Sequence, residues 1–339
     1  MNWKPDCSKL LHLFVFVVLL LVGLVMLIYP DLSLKANLRY SVEAKPSCQT
    51  GYSSACTKRV IANFTRNTQL FLSLNDIWWI QKNPAVNELP YGVKGSEQSI
   101  NKILARIQYD MPENISSLVC KRCVIVGNGY TLRNSSLGET INEYDIVIRI
   151  NDAPVRGYEK DVGSKTTLRF FYPESAAKDP NIENNPSTLL VFLPFKQVDA
   201  QWLREIVYDE KRFRKGFWKS PPLIWEANPS NIRILNPYYI HQAATKLLNI
   251  PLKLPPKSKQ KPVHPTTGLL AITVALNYCD EVHIAGFGYP LTKQSTPIHY
   301  YGKTTMKEMA NSEHNVTHEQ QFLKRLLDAG AIKYLTALE

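Results

Sequence analysis

Three short apolar runs lie between residues 120 and 175, and each of them ends at a small or amide-bearing polar residue. Buried strands that end in such loops form ligand clefts at the carboxyl edge of a parallel sheet. One run alone would be typical of an ordinary strand and turn, whereas three in succession predict a nucleotide site. The runs occupy 123–126, 144–150 and 167–171, and they end at Gly127-Asn128-Gly129, at Asn151 and at Tyr172-Pro-Glu-Ser175.

Apolar runs continue to alternate with turn residues towards the carboxyl terminus. Short runs predict buried strands, and longer runs with helical spacing predict helices. Strands that alternate with helices predict an α/β fold with a mainly parallel central sheet. The further predicted elements are strands at 189–193, 232–235 and 281–285, a helix at 267–278, and an amphipathic helix that Thr317 opens and Gly330 ends.

Residues 10–29 form an apolar stretch without a charged side chain. About 20 such residues are what a helix needs to cross a bilayer. A cleaved signal peptide is the alternative, but its apolar core usually has only ~7–15 residues and a small-residue cleavage site follows it. Here Tyr29-Pro-Asp31 follows instead. The predicted organisation is a cytoplasmic tail at 1–9, a membrane-spanning signal-anchor at 10–29, a stem at 30–60 and one folded domain at 61–339.

The chain is basic, with 40 Lys and Arg against 29 Asp and Glu and a net charge of +11. Such an excess suits a nucleic acid, an anionic membrane surface or an anionic substrate. The basic residues are dispersed, and no zinc finger, basic helix or RNA-binding signature occurs, which argues against nucleic acid.

The glycine turn after the first run differs from two common nucleotide motifs. Leu132 stands where a dinucleotide fingerprint would have its third glycine, and no phosphate-loop G-K-S/T follows. A hydride-transfer enzyme and a nucleoside triphosphatase are therefore disfavoured.

Four segments resemble the ordered motifs of animal sialyltransferases. Residues 123–175, from CVIVGNGY to FFYPES, resemble the large sialyl motif, and residues 264–290 (HPTTGLLAITVALNYCDEVHIAGFGYP) resemble the small one. HYYG at 299–302 resembles the third motif, and His314 followed by Glu319 resembles the very small motif. The resemblance extends over residues 85–339.

Within that family, ELPYGVKGSE, GFWKSPPLIW and IRILNPYYI are most similar to β-galactoside α2,3-sialyltransferases that act on N-acetyllactosamine. The resemblance implies a single Rossmann-like catalytic domain of the GT-A-variant type, anchored in the Golgi membrane as a type II protein with a lumenal catalytic domain. It implies an inverting transfer of sialic acid from CMP-N-acetylneuraminic acid to the 3-hydroxyl of terminal β-galactose on glycoprotein or glycolipid glycans, with Galβ1,4GlcNAc favoured. Galβ1,3GalNAc or glycolipid acceptors remain alternatives, as does a non-catalytic carbohydrate- or nucleotide-binding membrane protein. The sequence leaves a homodimer open.

The chain contains no D-x-D pair, the carboxylate arrangement with which many glycosyltransferases hold a divalent ion on a nucleotide diphosphate. A CMP-linked sugar leaves as a nucleoside monophosphate, which has fewer charges to neutralise. Hydrogen bonds from Asn, Tyr and His side chains in a basic surround can then suffice. We therefore expect neither a metal nor a cofactor beside the donor substrate.

The resemblance also implies which residues contact the donor. Asn128 and Asn151 match asparagines that contact the cytidine monophosphate, and Tyr172 and Ser175 match the element beside the nucleotide. The remaining matches are Thr266, Thr267, Gly268 and Gly288 around the ribose and base, and His299, Tyr300 and Tyr301 of the third motif.

Three of these assignments carry an alternative. Thr266-Thr267-Gly268 also fits simple helix capping, which is compatible with binding a phosphate or ribose oxygen at the helix start. His264 stands where relatives of another subgroup have Tyr, so a phosphate contact there stays open. Trp218 lies near a tyrosine-bearing loop of the family, without a firm match.

For His314 the resemblance implies the catalytic base. A galactose hydroxyl is a poor nucleophile, and an imidazole with an ordinary pKa of about 6.5 is suited to take its proton near neutral pH. A lone His in a polar loop would more often be a surface residue, and the motif context favours catalysis. Glu319 lies near the start of the predicted last helix, where the helix dipole favours a carboxylate and a structural role is the alternative.

Six cysteines occur, and two of them form a C-x-x-C at Cys120 and Cys123. In a reducing compartment this pattern would suit a redox pair or half a zinc site, but no second pair or His cluster completes a metal site. The family resemblance implies a Cys123–Cys279 disulfide that links the large and small motifs. We expect Cys48–Cys120 as the second disulfide, with Cys56 free.

Four N-x-S/T sequons agree with a lumenal domain, although their number is close to chance. They lie at Asn63, Asn114, Asn134 and Asn315.

Overall fold

The computed structural model describes residues 16–21, 48–251, 263–289, 295–309 and 314–336. The chain divides into two units, Met1–Ser47 and Cys48–Glu339. In the first unit only 16–21 is described, and it is helical. The predicted tail at 1–9 and most of the predicted anchor at 10–29 lie outside the described residues. Among the helices that are described, none is long and apolar enough to cross a membrane.

The second unit is built on a seven-stranded sheet in which each neighbouring pair of strands is parallel. The strand order is β5-β4-β3-β2-β1-β6-β7. The predicted α/β class with a mainly parallel sheet is confirmed. The strands are β1 Arg122–Val126, β2 Ile146–Ile150, β3 Leu168–Phe171, β4 Leu189–Phe192, β5 Ile232–Ile234, β6 Glu281–Ala285 and β7 Lys333–Tyr334.

Short helices connect the strands and cover both faces of the sheet. They are α1 Tyr52–Thr57, α2 Asp76–Lys82, α3 Pro84–Asn87, α4 Glu97–Leu104, α5 Glu113–Ser116, α6 Gly138–Asn142, α7 Glu159–Val162, α8 Gln197–Val207, α9 Pro237–Gln242, α10 Thr267–Tyr278, α11 Met306–Met309 and α12 Val316–Asp328. Single turns of 3₁₀ helix follow β1 and β3 and precede β5, at Tyr130–Leu132, Pro173–Ser175 and Pro229–Asn231, and a π-helical turn at Ala243–Leu247 continues α9.

The sheet is buried on both faces, which explains why its strands are continuous apolar runs rather than alternating ones. β2 to β5 are buried at every position. α10 crosses one face and is buried from Thr267 to Asn277. A helix that is apolar on all sides is typical of such a central position.

The folded unit begins at Cys48, before the predicted boundary at residue 61. The Cys48–Cys120 disulfide ties this segment to the start of β1, and the Ser53 hydroxyl donates to the Ala331 carbonyl oxygen at 2.8 Å. The segment around α1 therefore packs within the folded unit.

The last helix starts one residue earlier than Thr317. Asn315 is its N-cap, because its side-chain oxygen accepts a hydrogen bond from the His318 N–H at 3.0 Å. The helix ends at Asp328, before Gly330, whose φ of 74° places it in the left-handed region. The predicted stop at this glycine is confirmed.

Candidate active site

The strand order changes direction at β1, because β2 to β5 extend to one side and β6 and β7 to the other. In open parallel sheets, such a switch point opens a crevice at the carboxyl ends of the strands. The turns after β1 and β6 meet there, and the Gly129 N–H donates to the Gly286 carbonyl oxygen at 2.8 Å. A Cβ atom at Gly127 would lie 2.4 Å from that same oxygen. Only glycine allows the two turns to approach so closely.

Asn128 stands between these glycines and is 9% exposed. Its side-chain nitrogen donates to the Tyr301 hydroxyl at 3.1 Å, and its carbonyl oxygen accepts from the Tyr300 N–H. The amide oxygen Oδ1 is buried and has no hydrogen-bond partner among the described residues. Tyr301 thus orients the amide and leaves its oxygen available to a donor.

Asn151 follows β2 and has a φ of 57°, in the left-handed region. Arg169 holds this turn, because its guanidinium donates to the carbonyl oxygens of Asn151 at 2.9 Å and Ala153 at 3.1 Å. The Asn151 side-chain oxygen is also buried without a partner in the part of the chain that the structure describes. Neighbouring strands therefore each present one unfilled amide oxygen.

Tyr172 and Ser175 form the turn after β3. The Ser175 hydroxyl accepts from the Tyr172 N–H at 3.0 Å and donates to the Tyr172 carbonyl oxygen at 3.1 Å, so this buried hydroxyl closes the turn. The Tyr172 ring packs edge-on against Phe195, with 5.5 Å between ring centroids. Burial raises the pKa of Tyr172, so its hydroxyl keeps its proton and can donate.

Thr266 caps α10 as predicted, because its hydroxyl oxygen accepts from the Leu269 N–H at 3.2 Å. Thr267 is the first residue of the helix and is buried. At Gly268 a Cβ atom would lie 2.9 Å from the Phe287 ring, so the absent side chain admits the turn after β6. Gly288 in that turn has a φ of 102° with open space beside it.

Glu319 joins α12 to the start of α10. Its carboxylate accepts from the Thr266 N–H at 2.8 Å and from the Thr266 hydroxyl at 2.6 Å. Burial raises the pKa of Glu319 to about 7, although both hydrogen bonds from Thr266 favour the charged form. This contact gives Glu319 the structural role that the sequence left as an alternative.

His314 precedes α12 and is partly buried. Its Nδ1 lies 2.8 Å from the His264 carbonyl oxygen. A carbonyl can only accept, so Nδ1 carries the proton and Nε2 carries the lone pair. This tautomer is the one in which Nε2 can act as a base.

His264, whose carbonyl oxygen accepts a hydrogen bond from His314, packs against residues on the β3 side of the site. The His264 ring contacts Tyr91 edge-on at 5.7 Å and Phe195 at 6.5 Å between centroids. Phe195 in turn contacts Tyr172. Through His264 and Phe195, the fold thereby connects His314 with the turn at Tyr172–Ser175, although the two are far apart in sequence.

The residues of the third motif, HYYG at 299–302, lie partly at the crevice and partly in the core. His299 stacks on Tyr301 with 5.3 Å between centroids, and burial lowers the pKa of His299. Tyr300 is 2% exposed, and its hydroxyl donates to the Pro154 carbonyl oxygen at 2.6 Å. The side chain of Tyr301, rather than that of Tyr300, contacts the Asn128 side chain.

Residue-by-residue matching to the motifs named Tyr301 but not its role of orienting Asn128, and it missed the positioning side chain of Arg169. A charged residue within the apolar strand LRFF was the available signal for Arg169. The Trp218 side chain is exposed, at 73% for the residue, and the Trp218 backbone N–H donates to a Glu174 carboxylate oxygen at 3.4 Å. In the described part of the chain, no group of three or more His, Cys, Asp and Glu side chains is placed to hold a metal ion.

Known proteins resemble this chain over most of its length. The model of glycosyltransferase family 29 (sialyltransferase) matches residues 71–331. The chain is 56% identical over 297 residues to CMP-N-acetylneuraminate-beta-galactosamide-alpha-2,3-sialyltransferase 4 of Homo sapiens, covering 87% of this chain and 88% of the relative. It is 46% identical over 251 residues to the type 2 lactosamine alpha-2,3-sialyltransferase of Homo sapiens, covering 74% and 75%.

A crystal structure of a mammalian sialyltransferase has the same fold, with a TM-score of 0.65 at 24% identity over 86% of this chain and 98% of that one. The family match spans most of the chain, and the sequence relatives cover most of their own length. The chain therefore belongs to glycosyltransferase family 29, the sialyltransferases.

Proposed function

We propose that this sialyltransferase moves N-acetylneuraminic acid from its CMP ester to the 3-hydroxyl of a terminal β-galactose, with inversion and without a metal ion. Relatives at 46–56% identity carry the names of α2,3-sialyltransferases that act on β-galactosamide or type 2 lactosamine, which supports Galβ1,4GlcNAc as the favoured acceptor. The function implies two partners, CMP-sialic acid and galactose-terminated glycans.

The observation that carries the donor assignment is the pair of unfilled amide oxygens at Asn128 and Asn151. A buried acceptor without a donor costs about 1–3 kcal/mol. Ribose hydroxyls and the cytosine amino group are donors of the kind that would fill these oxygens. The start of α10, at Thr267 and Gly268, adds backbone N–H groups that favour a phosphate.

The base assignment rests on the His314 tautomer. With Nδ1 donating to the His264 carbonyl, Nε2 accepts the proton of the galactose hydroxyl as that oxygen attacks the anomeric carbon. The new carbon–oxygen bond forms opposite the departing CMP, whose phosphate keeps the electron pair of the broken bond. Attack from that face inverts the anomeric centre.

His314→Ala should lower kcat by ~100- to 10,000-fold, the range for losing a general base, while the Kd for CMP changes little. His318→Ala, four residues along the same segment, is the matched control and should keep normal turnover. Steady-state rates and a CMP titration on both folded variants measure this. Near-normal turnover of His314→Ala would contradict the base assignment.

The wild-type protein should keep its rate of transfer when the same assay contains EDTA. Loss of activity that Mn²⁺ restored would contradict the metal-independent reaction.

We also propose that the catalytic unit faces the Golgi lumen, anchored by residues 10–29. The two disulfides suit an oxidising compartment, and all four sequon asparagines are exposed, as glycosylation requires. Protease added to sealed Golgi vesicles should leave residues 40–339 intact by immunoblot. Digestion of that region in intact vesicles would contradict the topology.

A further inference from the structure

A cavity of about 710 Å³ lies beside the carboxyl ends of β2 and β3. Its wall includes Asp152, which follows Asn151, and Glu174, which lies two residues after Tyr172. The cavity is therefore next to the proposed donor contacts but is lined by other residues. The rest of its wall comes from the 176–183 loop and from the segment 219–224.

The segment 216–225, here called the strap, is fixed to the core at its far end. Trp225 is 6% exposed, its ring lies 5.0 Å from that of Phe171, and its indole N–H donates to the Ala177 carbonyl oxygen at 3.0 Å. At the other end, the Lys219 ammonium lies 3.1 Å from a carboxylate oxygen of Asp152. These contacts hold the wall at both ends of the strap.

Glu174 supplies an unfilled acceptor at this cavity. The residue is 1% exposed, and one carboxylate oxygen pairs with the Lys196 ammonium. The other oxygen, Oε2, has no hydrogen-bond partner within the described ranges. A buried carboxylate oxygen of this kind is satisfied by a hydroxyl donor.

Apolar side chains face the same space. Ile182, Leu223 and Ile224 line it and are 53%, 37% and 76% exposed. Trp218 is 73% exposed on the same strap. Carboxylate acceptors beside apolar and indole surface suit a sugar ring, which offers hydroxyl donors at its edge and C–H groups on its faces.

The charge of the wall disfavours the anionic part of the donor. Asp152, Glu174, Asp179 and Glu183 line the cavity with Lys178 and Lys219. The Lys196 ammonium, outside this lining, also pairs with Glu174, which leaves four carboxylates against three ammonium groups. The carboxylate and phosphate of CMP-sialic acid would be repelled there. An uncharged sugar would not.

We propose that this cavity is an acceptor subsite that binds an uncharged sugar beyond the terminal galactose, an inference that rests on the proposed transfer to β-galactosides. Occupation would place glycan hydroxyls on Asp152 and Glu174 and a sugar face against Ile224. The subsite would make longer neutral glycans better acceptors than a simple galactoside.

The test compares kcat/KM for methyl β-galactoside and for the tetrasaccharide Galβ1,4GlcNAcβ1,3Galβ1,4GlcNAc. Ile224→Arg and Ile182→Arg place bulk in the cavity at exposed positions that folding tolerates. Each should lower the ratio of tetrasaccharide to methyl galactoside kcat/KM by about tenfold, the effect of losing one good contact region. Val119→Arg, at an apolar position 88% exposed just before the amino end of β1, is the control and should leave the ratio unchanged.

An unchanged ratio in both cavity variants would overturn the subsite, and so would an equal loss for both acceptors. A raised KM for CMP-sialic acid with an unchanged ratio would also overturn it, because the cavity would then serve the donor. In each of these cases wild-type transfer to galactosides continues and the proposed function stands. If the wild-type protein transferred sialic acid to neither galactoside, the proposed function itself would fail.

Discussion

At the scale of single residues, two buried arginines lie side by side and hold different turns. Arg149 and Arg169 are paired across β2 and β3, and each is 2% exposed. Arg169 donates to the Asn151 carbonyl, whereas Arg149 donates to the carbonyls of Val162 and Gly163. Arg169→Lys should weaken CMP binding about tenfold, because one ammonium cannot replace the planar fork that holds the Asn151 turn.

Arg149→Lys is the matched control, since it loses a similar buried fork away from the Asn151 turn. Both variants should lose stability, but only Arg169→Lys should raise the Kd for CMP. A CMP titration on the folded proteins measures the difference. Equal weakening in the two variants would show that Arg169 acts only through general stability.

The sequence predicted the positions of Asn128 and Asn151 because Asn151 follows an apolar run directly and Asn128 follows one after a single glycine. It did not predict that Tyr301 orients one amide while Tyr300 enters the core. Adjacent residues in irregular backbone follow no fixed period, so their side-chain directions depend on the packed fold. The same limit applies to Ser175, whose hydroxyl closes its own turn.

At the scale of elements, Glu319 couples α12 to the start of α10, and its pKa is raised to about 7. An acid with a raised pKa binds more protons folded than unfolded between its ordinary value near 4.3 and 7. Its contribution to stability is therefore fully present below that window and is lost as pH rises through 7. Glu319→Gln, which has no proton to lose, should remove this dependence.

Denaturant unfolding at pH 5 and pH 8 checks this expectation. The free energy of unfolding of the wild type relative to Glu319→Gln should fall between pH 5 and pH 8. Glu281→Gln, on a partly exposed carboxylate of β6, is the matched control for replacing a carboxylate by an amide. A parallel pH dependence of wild type and Glu319→Gln would contradict the raised pKa.

Strands and helices with a clean period were predicted within a few residues, including α10, whose bounds the sequence gives correctly. The helix α8 was missed, although its apolar residues Val198, Trp202 and Ile206 repeat every four positions. The helices before β1 were also missed. They are only four to eight residues long, too short to display the helical period of apolar residues.

At the scale of the whole molecule, the strand order was not predictable from periodicity, because a period identifies a strand without naming its neighbours. The family resemblance supplied one long-range link, Cys123–Cys279, and this disulfide is confirmed. The second expected disulfide, Cys48–Cys120, and the free Cys56 are confirmed as well. The Cys123–Cys279 link joins the start of β1 to the end of α10, just before β6, so it ties the amino ends of these two neighbouring strands at the edge of the sheet opposite the crevice.

Replacing Cys123 and Cys279 together by alanine should lower the free energy of unfolding by ~2–5 kcal/mol, because the link closes a loop of 156 residues in the unfolded chain. Activity should fall with it, since β1 leads directly into Asn128. The matched variant lacks Cys48 and Cys120, whose separation is 72, and its loss should be smaller because loop-closure entropy grows with length. Non-reducing denaturation curves measure both losses, and dithiothreitol should bring the wild type below either variant. A larger loss in the Cys48 and Cys120 variant would contradict the order expected from loop length, and no loss in the Cys123 and Cys279 variant would mean that packing, and not this cross-link, holds the start of β1.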